Sequence, residues 1–93
     1  MNERVVRLLS YESWVVIVAM RSKAAILRQD KDHRGLYMLR HLLIPKHGQP
    51  IKIPMRFMRE IFGWKLVRQN RDGSYRLTSA GSGVELRHKG VSP

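Results

Sequence analysis

The sequence predicts an α+β fold that is mainly helical, with a three-helix core and a C-terminal β-hairpin. Apolar residues recur at the spacing of an α-helix in three segments, which are residues 12–29, 33–44 and 55–62. Two short runs of β-favouring residues then flank a polar turn between residues 64 and 78. Helical segments followed by a single hairpin are typical of a small α+β domain.

The length of 93 residues fits one small domain, residues 1–93, with a thin hydrophobic core. We expect an N-terminal helical segment over residues 1–29 and a core that includes the hairpin over residues 33–81. A tail follows over residues 82–93, and we expect it to be flexible at its end because it finishes in Gly-Val-Ser-Pro.

The first helix is predicted over residues 12–29. Trp14 begins its apolar stripe, and either Ser10 or Ser13 is placed to cap its start. Residues 14–18 are also rich in β-favouring side chains, so a short strand that leads into a helix is the alternative.

A second helix is predicted over residues 33–44. Asp32 is placed to cap its start, and Pro45 ends it. Its apolar stripe consists of three leucines at helical spacing: Leu36, Leu39 and Leu43. The next segment, residues 45–54, contains three prolines and a glycine, so we expect an extended loop with an edge strand at residues 51–53.

The third helix is predicted over residues 55–62, where the apolar side chains share one face. Three charged side chains point outward: Arg56, Arg59 and Glu60. Arg56 and Glu60 have the i, i+4 spacing of an ion pair. A helix this short must gain its stability by packing against the rest of the core.

The hairpin is predicted to follow this helix directly, after a stop at Gly63. We expect a strand over residues 64–67, a turn over residues 70–73 and a return strand over residues 75–78. The Asp-Gly pair in the turn suits positions with positive φ. Such a turn would project three arginines into solvent: Arg68, Arg71 and Arg76.

Two aromatic residues begin the predicted strands. Trp64 is expected to lie in the core and close the sheet against the helices, with stacking on a nucleic-acid base as the alternative. Tyr75 is expected to bury its ring and to expose its hydroxyl.

The order of a last helix, a strand, a charged turn and a return strand resembles the winged helix-turn-helix family. The resemblance covers residues 55–81, about a third of the chain, and includes the ending Tyr-Arg-Leu-Thr-x-x-Gly. It implies that the last helix and the charged turn, or wing, contact duplex DNA in the regulation of transcription or replication. Residues 45–54 depart from the family pattern, because many members have a short helix there. Either that helix lies earlier, at residues 35–44, or it is missing.

The net charge supports an anionic partner. The chain has 18 Lys and Arg against 7 Asp and Glu, a formal charge of +11, and most of the excess follows residue 20. Charge and resemblance together make duplex DNA the leading partner. The expected contacts are cations of the last helix, the wing and their flanks: Lys52, Arg56, Arg59, Lys65, Arg68, Arg71 and Arg76.

Other partners stay open, because basic composition does not separate DNA from RNA or from an acidic protein. An RNA-binding protein and a protein-interaction module in a larger assembly are therefore alternatives. For Arg56 and Arg59, a solvated helix face is as good an interpretation as base recognition. The neutral, apolar N-terminal part, residues 1–20, is the expected packing or partner surface, and the N-terminal helix is the expected surface of a homodimer.

No residue pattern indicates an enzyme or a cofactor. The chain has no cysteine, which excludes thiolate zinc sites and is compatible with the cytoplasm. Asp30, Asp32 and His33 are a candidate metal cluster, although a helix-capping turn explains them better. The longest apolar run, residues 14–20, is far shorter than the roughly 20 residues that cross a bilayer. We therefore expect a cytoplasmic, non-enzymatic protein with no membrane partner.

Overall fold

A computed structural model of the chain describes residues 6–31 and 39–88. Its elements, in chain order, are β1 (Val6–Leu9), α1 (Tyr11–Arg21), β2 (Ala25–Lys31), β3 (Leu39–Pro45), β4 (Ile51–Ile53), α2 (Met55–Gly63), β5 (Val67–Gln69), β6 (Tyr75–Leu77), α3 (Ser79–Gly83) and β7 (Glu85–His88).

The described strands form three sheets. β1 and β7 pair in parallel, so the predicted tail contributes a strand, while residues 89–93 lie outside the described part. β2, β3 and β4 form an antiparallel sheet in that order, and β4 is the edge strand predicted for residues 51–53. β5 and β6 form a hairpin where one was predicted, but its first strand is Val67–Gln69 and not residues 64–67. The described ranges hold seven strands and three helices, so the prediction of a mainly helical, three-helix core is wrong.

The second predicted helix accounts for most of this error, because residues 39–45 form β3. Each residue of β3 lies opposite a residue of β2, from Leu39 to Pro45. A short apolar run such as residues 42–44 fits a strand or a helix equally well, and pairing with a distant strand decides between them. α2 therefore follows a sheet, not the second helix of a helix-turn-helix. Residues 32–38, with the proposed cap, lie outside the described part.

The first helix confirms helical structure for residues 14–18, but it ends at Arg21 and not at residue 29. Lys23 has a left-handed φ of 59°. The N–H groups of Lys23 and Ala24 donate back to carbonyls of the last helical turn, at 3.1 and 2.9 Å. This is the Schellman arrangement that ends many helices, here with a lysine at the position where glycine is usual.

α2 forms where the third helix was predicted, but Gly63 is its last residue and not its stop signal. The left-handed residue is Lys65, with φ 55°, in a second Schellman arrangement. The expected pair of Arg56 with Glu60 is also wrong. The Glu60 carboxylate accepts hydrogen bonds from the N–H (2.6 Å) and the hydroxyl (3.0 Å) of Ser10, the N-cap of α1. Glu60 thereby ties the start of α1 to α2.

The hydrophobic core lies between the two longer helices and one face of β2 and β3. Its most buried members are Leu9, Val16, Ile17, Leu27, Met58, Ile61 and Leu66. Trp64, expected in the core, is 41% exposed, because β5 begins only at Val67 and Leu66 fills the space beside the helices. The Tyr75 ring is buried as expected, but its hydroxyl lies inside, 3.3 Å from Nε2 of His41.

His41 is a buried titratable residue in this core. It is 4% exposed, and its ring contacts the rings of Phe62 and Tyr75. Burial lowers the pKa of His41 below its ordinary value of 6.5. As the pH falls below about 6.5, His41 therefore binds a proton in the unfolded chain more readily than in the folded chain. This difference in proton binding stabilises the unfolded state.

We expect the midpoint of thermal unfolding to fall as the pH is lowered from about 7.5 to about 5.5, because His41 must stay neutral in the folded chain. The His41→Gln variant should unfold at a lower temperature but with a smaller dependence on pH. His47→Gln is the matched control, since it removes a histidine that lies exposed in the loop before β4. Equal pH dependence in the wild type and in His41→Gln would contradict this assignment.

Candidate nucleic-acid interface

The hairpin turn is built largely as its sequence predicts. Gly73 has a φ of 91°, the Asn70 N–H donates to the Ser74 carbonyl at 2.7 Å, and the Gly73 N–H donates to the Asn70 carbonyl at 3.2 Å. Asp72 does not share the positive φ. Its carboxylate instead accepts hydrogen bonds from the N–H (2.9 Å) and the hydroxyl (2.6 Å) of Ser74. These bonds fix the exposed turn that carries Arg71.

The hairpin is joined to the three-stranded sheet through β2. An isolated antiparallel bridge places Arg28 opposite Ser74. Next to it, the Gln29 N–H donates to the Gly73 carbonyl at 2.8 Å, and the Gln69 amide donates to the Gln29 side chain at 2.5 Å. The hairpin thus lies against the β2 edge of the three-stranded sheet, while the two remain separate sheets.

The register of these strands brings cations from distant parts of the chain onto one face. Lys52 lies opposite Leu42, Leu42 lies opposite Arg28, and Arg28 lies opposite Ser74. Residues directly opposite each other in a sheet share a face. This row therefore runs from the edge strand β4 into the hairpin on a single surface, which we call the outer face.

The hairpin adds two more cations to the outer face. Arg76 follows Ser74 by two residues on β6, so both point to the same side. Arg68 on β5 lies directly opposite Arg76. Both arginines are exposed, as is Lys52.

The burial pattern supports the assignment of the two faces. The alternate residues of the same strands are buried and face the helices: Leu27, His41, Leu43, Ile53, Val67 and Tyr75. The outer face carries aliphatic side chains between its cations, since Ile26 is 58% exposed and Leu42 and Ile44 are half-buried. The outer face is therefore a mixed basic and aliphatic surface.

The predicted contact residues separate into two groups. Lys52, Arg68 and Arg76 lie together on the outer face, and Arg71 is at the turn beside them. Arg56 and Arg59 are exposed on α2, and Lys65 follows its end.

α2 packs on the inner side of the sheet, where its Phe62 contacts His41. The exposed side of α2 therefore points away from the outer face. The guanidinium of Arg56 lies over the ring of Phe57, 4.7 Å from its centre. The structure thus does not bring the helix cations and the wing cations onto one surface.

Sequence reasoning missed Arg28, which was assigned to the first helix. Arg40 also lies on this side of β3, two residues before Leu42. Residues 25–29 read Ala-Ile-Leu-Arg-Gln, without the alternation of apolar and polar residues that predicts a half-buried strand, so the sequence carries no clear signal for Arg28.

One carboxylate lies close to the cations of the outer face. The pKa of Asp72 is lowered, first by the hydrogen bond from the Ser74 hydroxyl, then by the Ser74 N–H, and also by the charge of Arg28. Asp72 thus stays ionised and offsets part of the positive charge near Arg28. Arg76 donates from Nη1 to the Asn70 side-chain oxygen at 2.7 Å, which orients its guanidinium along the hairpin.

Within residues 6–31 and 39–88, no three side chains of the metal-binding types are grouped around a common point. Asp32 and His33 of the candidate metal cluster lie outside those ranges. None of the described helices is both long and apolar enough to cross a membrane. Comparison of the chain with known protein families, with curated proteins and with solved structures found no match.

Proposed function

We propose that the chain is a DNA-binding protein that contacts the phosphates of duplex DNA through its outer face. The observation that carries the proposal is the register that aligns Lys52, Arg28, Arg76 and Arg68 on one surface. In a chain of net charge +11, a shared surface for cations from four strands is a natural contact for a polyanion.

The spacing of the cations suits a duplex. Lys52 and Arg28 lie on the two edge strands of the three-stranded sheet, two strand spacings or about 10 Å apart. Arg76 and Arg68 add cations on the hairpin beside β2. Cations spread in this way can contact several phosphates along a duplex.

The apolar residues of the outer face favour a duplex over a single strand. Proteins that bind single strands stack unpaired bases on aromatic side chains. The outer face presents aliphatic side chains instead, which are Ile26, Leu42 and Ile44. The half-exposed ring of Trp64 precedes β5 and is not part of this register.

The rest of the proposal follows from DNA binding. A small protein of this kind would act in the cytoplasm, without catalysis or cofactor, in the regulation of transcription or replication. Homodimerisation through α1 is a weaker proposal than DNA binding, because two apolar residues of α1, Val16 and Ile17, already face the core of the same chain.

The proposal predicts tight binding to random duplex DNA that weakens steeply with salt. Four neutralised phosphates correspond to roughly a hundredfold loss of affinity between about 50 and about 200 mM salt. Fluorescence anisotropy with duplex DNA, single-stranded DNA and duplex RNA measures this loss and the preference between them. Equal weak binding to all three, or a flat salt response, would count against the proposal.

A second candidate function is docking of an acidic partner protein, and one observation favours it. A groove of about 220 Å³ separates the start of α1 from β4 and Pro54, and is lined by Tyr11, Val15 and Ile51. The N-terminal helix and the proline-rich loop thus share one apolar surface. Absence of binding to any nucleic acid at low salt would favour this function, and Ile51→Asp should then weaken capture of the partner.

A further inference from the structure

A second feature of the fold is a cavity of about 510 Å³ beside the Arg28–Ser74 bridge. It opens where Ala25 and Ile26 of β2 face Arg76 and Leu77 of β6. Pockets for small organic ligands have volumes of about 300 to 1,000 Å³, so this cavity is large enough for one such molecule.

The lining of the cavity combines an apolar floor with a cationic rim. Apolar side chains come from α1, β2, β3 and β6: Met20, Ala25, Ile26, Ile44, Pro45 and Leu77. The charged groups among the described residues of the lining are Lys23, Lys46 and Arg76, and none of these described lining residues is a carboxylate. This combination matches a ligand with an apolar body and a negative head group.

A backbone hydrogen bond brings the chain positions of the two lysines close together. The Lys46 N–H donates to the Ala24 carbonyl at 3.0 Å, which fixes Lys46 beside the end of α1 that carries Lys23. Among the described residues, neither lysine has an ion pair. Their ammonium groups are therefore available to a carboxylate at this end of the cavity.

Lys23 occupies its position against the preference of the backbone. Its φ of 59° lies in the left-handed region, which costs a non-glycine residue roughly 1 kcal/mol compared with glycine. The Schellman arrangement that ends α1 sets this conformation, so glycine can replace Lys23 without loss of the helix end. Lys65 has the same conformation at the end of α2 but does not line the cavity, which makes it a matched control.

We infer that this cavity binds a small organic carboxylate with an apolar body. The carboxylate lies between Lys23 and Lys46, and the apolar body lies against Met20, Ile26 and Ile44. This inference does not depend on DNA binding. If both hold, the bound anion lies next to Arg76 and weakens the contact of the outer face with DNA.

Decanoate is a suitable probe, with decanol as its uncharged counterpart, and isothermal titration calorimetry measures both. We expect saturable binding of one decanoate per chain and at least fivefold weaker binding of decanol. Affinity should rise about threefold to fourfold per methylene from hexanoate to decanoate. No saturable binding, or equal binding of decanol, would overturn the inference.

Two glycine substitutions test the rim without risk to the fold. Lys23→Gly and Lys65→Gly each relieve a left-handed lysine and remove one charge, so both should raise the midpoint of thermal unfolding. Lys23→Gly should weaken decanoate binding by about threefold to fivefold. Lys65→Gly should leave it unchanged, and an equal loss in both variants would mean that decanoate responds only to net charge. If the wild type does not bind DNA, the results expected for decanoate binding stay the same.

Discussion

Gly81→Ala is expected to lower the stability of the protein by at least about 3 kcal/mol, because a methyl group has no space at this position. A Cβ on residue 81 would lie 2.0 Å from the carbonyl oxygen of Leu66 and 3.0 Å from its carbonyl carbon. Both atoms belong to the backbone, so no side-chain rotation relieves the overlap.

Local hydrogen bonds prevent α3 from moving away. The Thr78 N–H donates to the Leu66 carbonyl at 3.0 Å, and the Thr78 hydroxyl donates to the Lys65 carbonyl at 2.6 Å. The Gly81 N–H in turn donates to the Thr78 hydroxyl oxygen at 3.1 Å. A shift of α3 would therefore break the bonds that hold it to the start of the hairpin.

Thermal unfolding followed by circular dichroism measures the effect. For a domain of this size, a loss of about 3 kcal/mol lowers the midpoint by more than about 12 °C. Gly83→Ala is the matched control in the same helix, since no atom lies within 4 Å of a Cβ there. A midpoint for Gly81→Ala close to that of Gly83→Ala would show that the close approach to Leu66 is not rigid.

The double variant Arg28→Ala/Arg76→Ala is expected to weaken duplex DNA binding by at least about tenfold at moderate salt, if the outer face binds phosphates. Loss of two phosphate contacts should also make the salt dependence shallower by about two. Both side chains lie on the surface of paired strands, so the fold should persist.

The control is Arg56→Ala/Arg59→Ala, which removes the same charge from α2. Its DNA affinity should remain within about threefold of the wild type, because surface charges beyond a Debye length of about 10 Å contribute little. Asp72→Asn should have the opposite effect and strengthen DNA binding, because it removes a negative charge near the cations of the outer face. The turn should persist, since the amide oxygen can still accept the hydrogen bond from Ser74. A larger loss in the α2 variant than in the outer-face variant would reverse the assignment of the interface.

The elements predicted correctly from the sequence are those with local signals. α2 has an amphipathic period, a proline before it and apolar residues that need burial, and the hairpin turn has Asn, Asp and Gly at the required positions. The bonds within residues 70–74 are all short-range, so neighbouring residues alone specify this geometry.

β3 could not be predicted in this way, because its conformation depends on a distant partner. Its leucines have the spacing of a helix, yet β3 pairs along its whole length with β2. The end of α1 was missed for a related reason. Its stop is a left-handed Lys23, and a lysine at that position carries no sequence signal comparable to that of glycine.

The candidate interface was predicted only in part. Three of its cations, Lys52, Arg68 and Arg76, could be named because they flank recognisable elements. Arg28 joins them through the register with Leu42 and Lys52 and through the bridge to Ser74, which are contacts between segments far apart in the chain. The resemblance to helix-turn-helix proteins grouped Arg56 and Arg59 with the wing. Because α2 packs on the inner side of the sheet, both arginines point away from the outer face.

The most direct test of the outer face is a map of backbone amide chemical shifts in labelled protein, recorded with and without a short DNA duplex. We expect the largest changes on β2, β4, β5 and β6, at Arg28, Lys52, Arg68 and Arg76. Changes concentrated on α2, at Arg56 and Arg59, would contradict this expectation and place the DNA on the opposite side of the molecule.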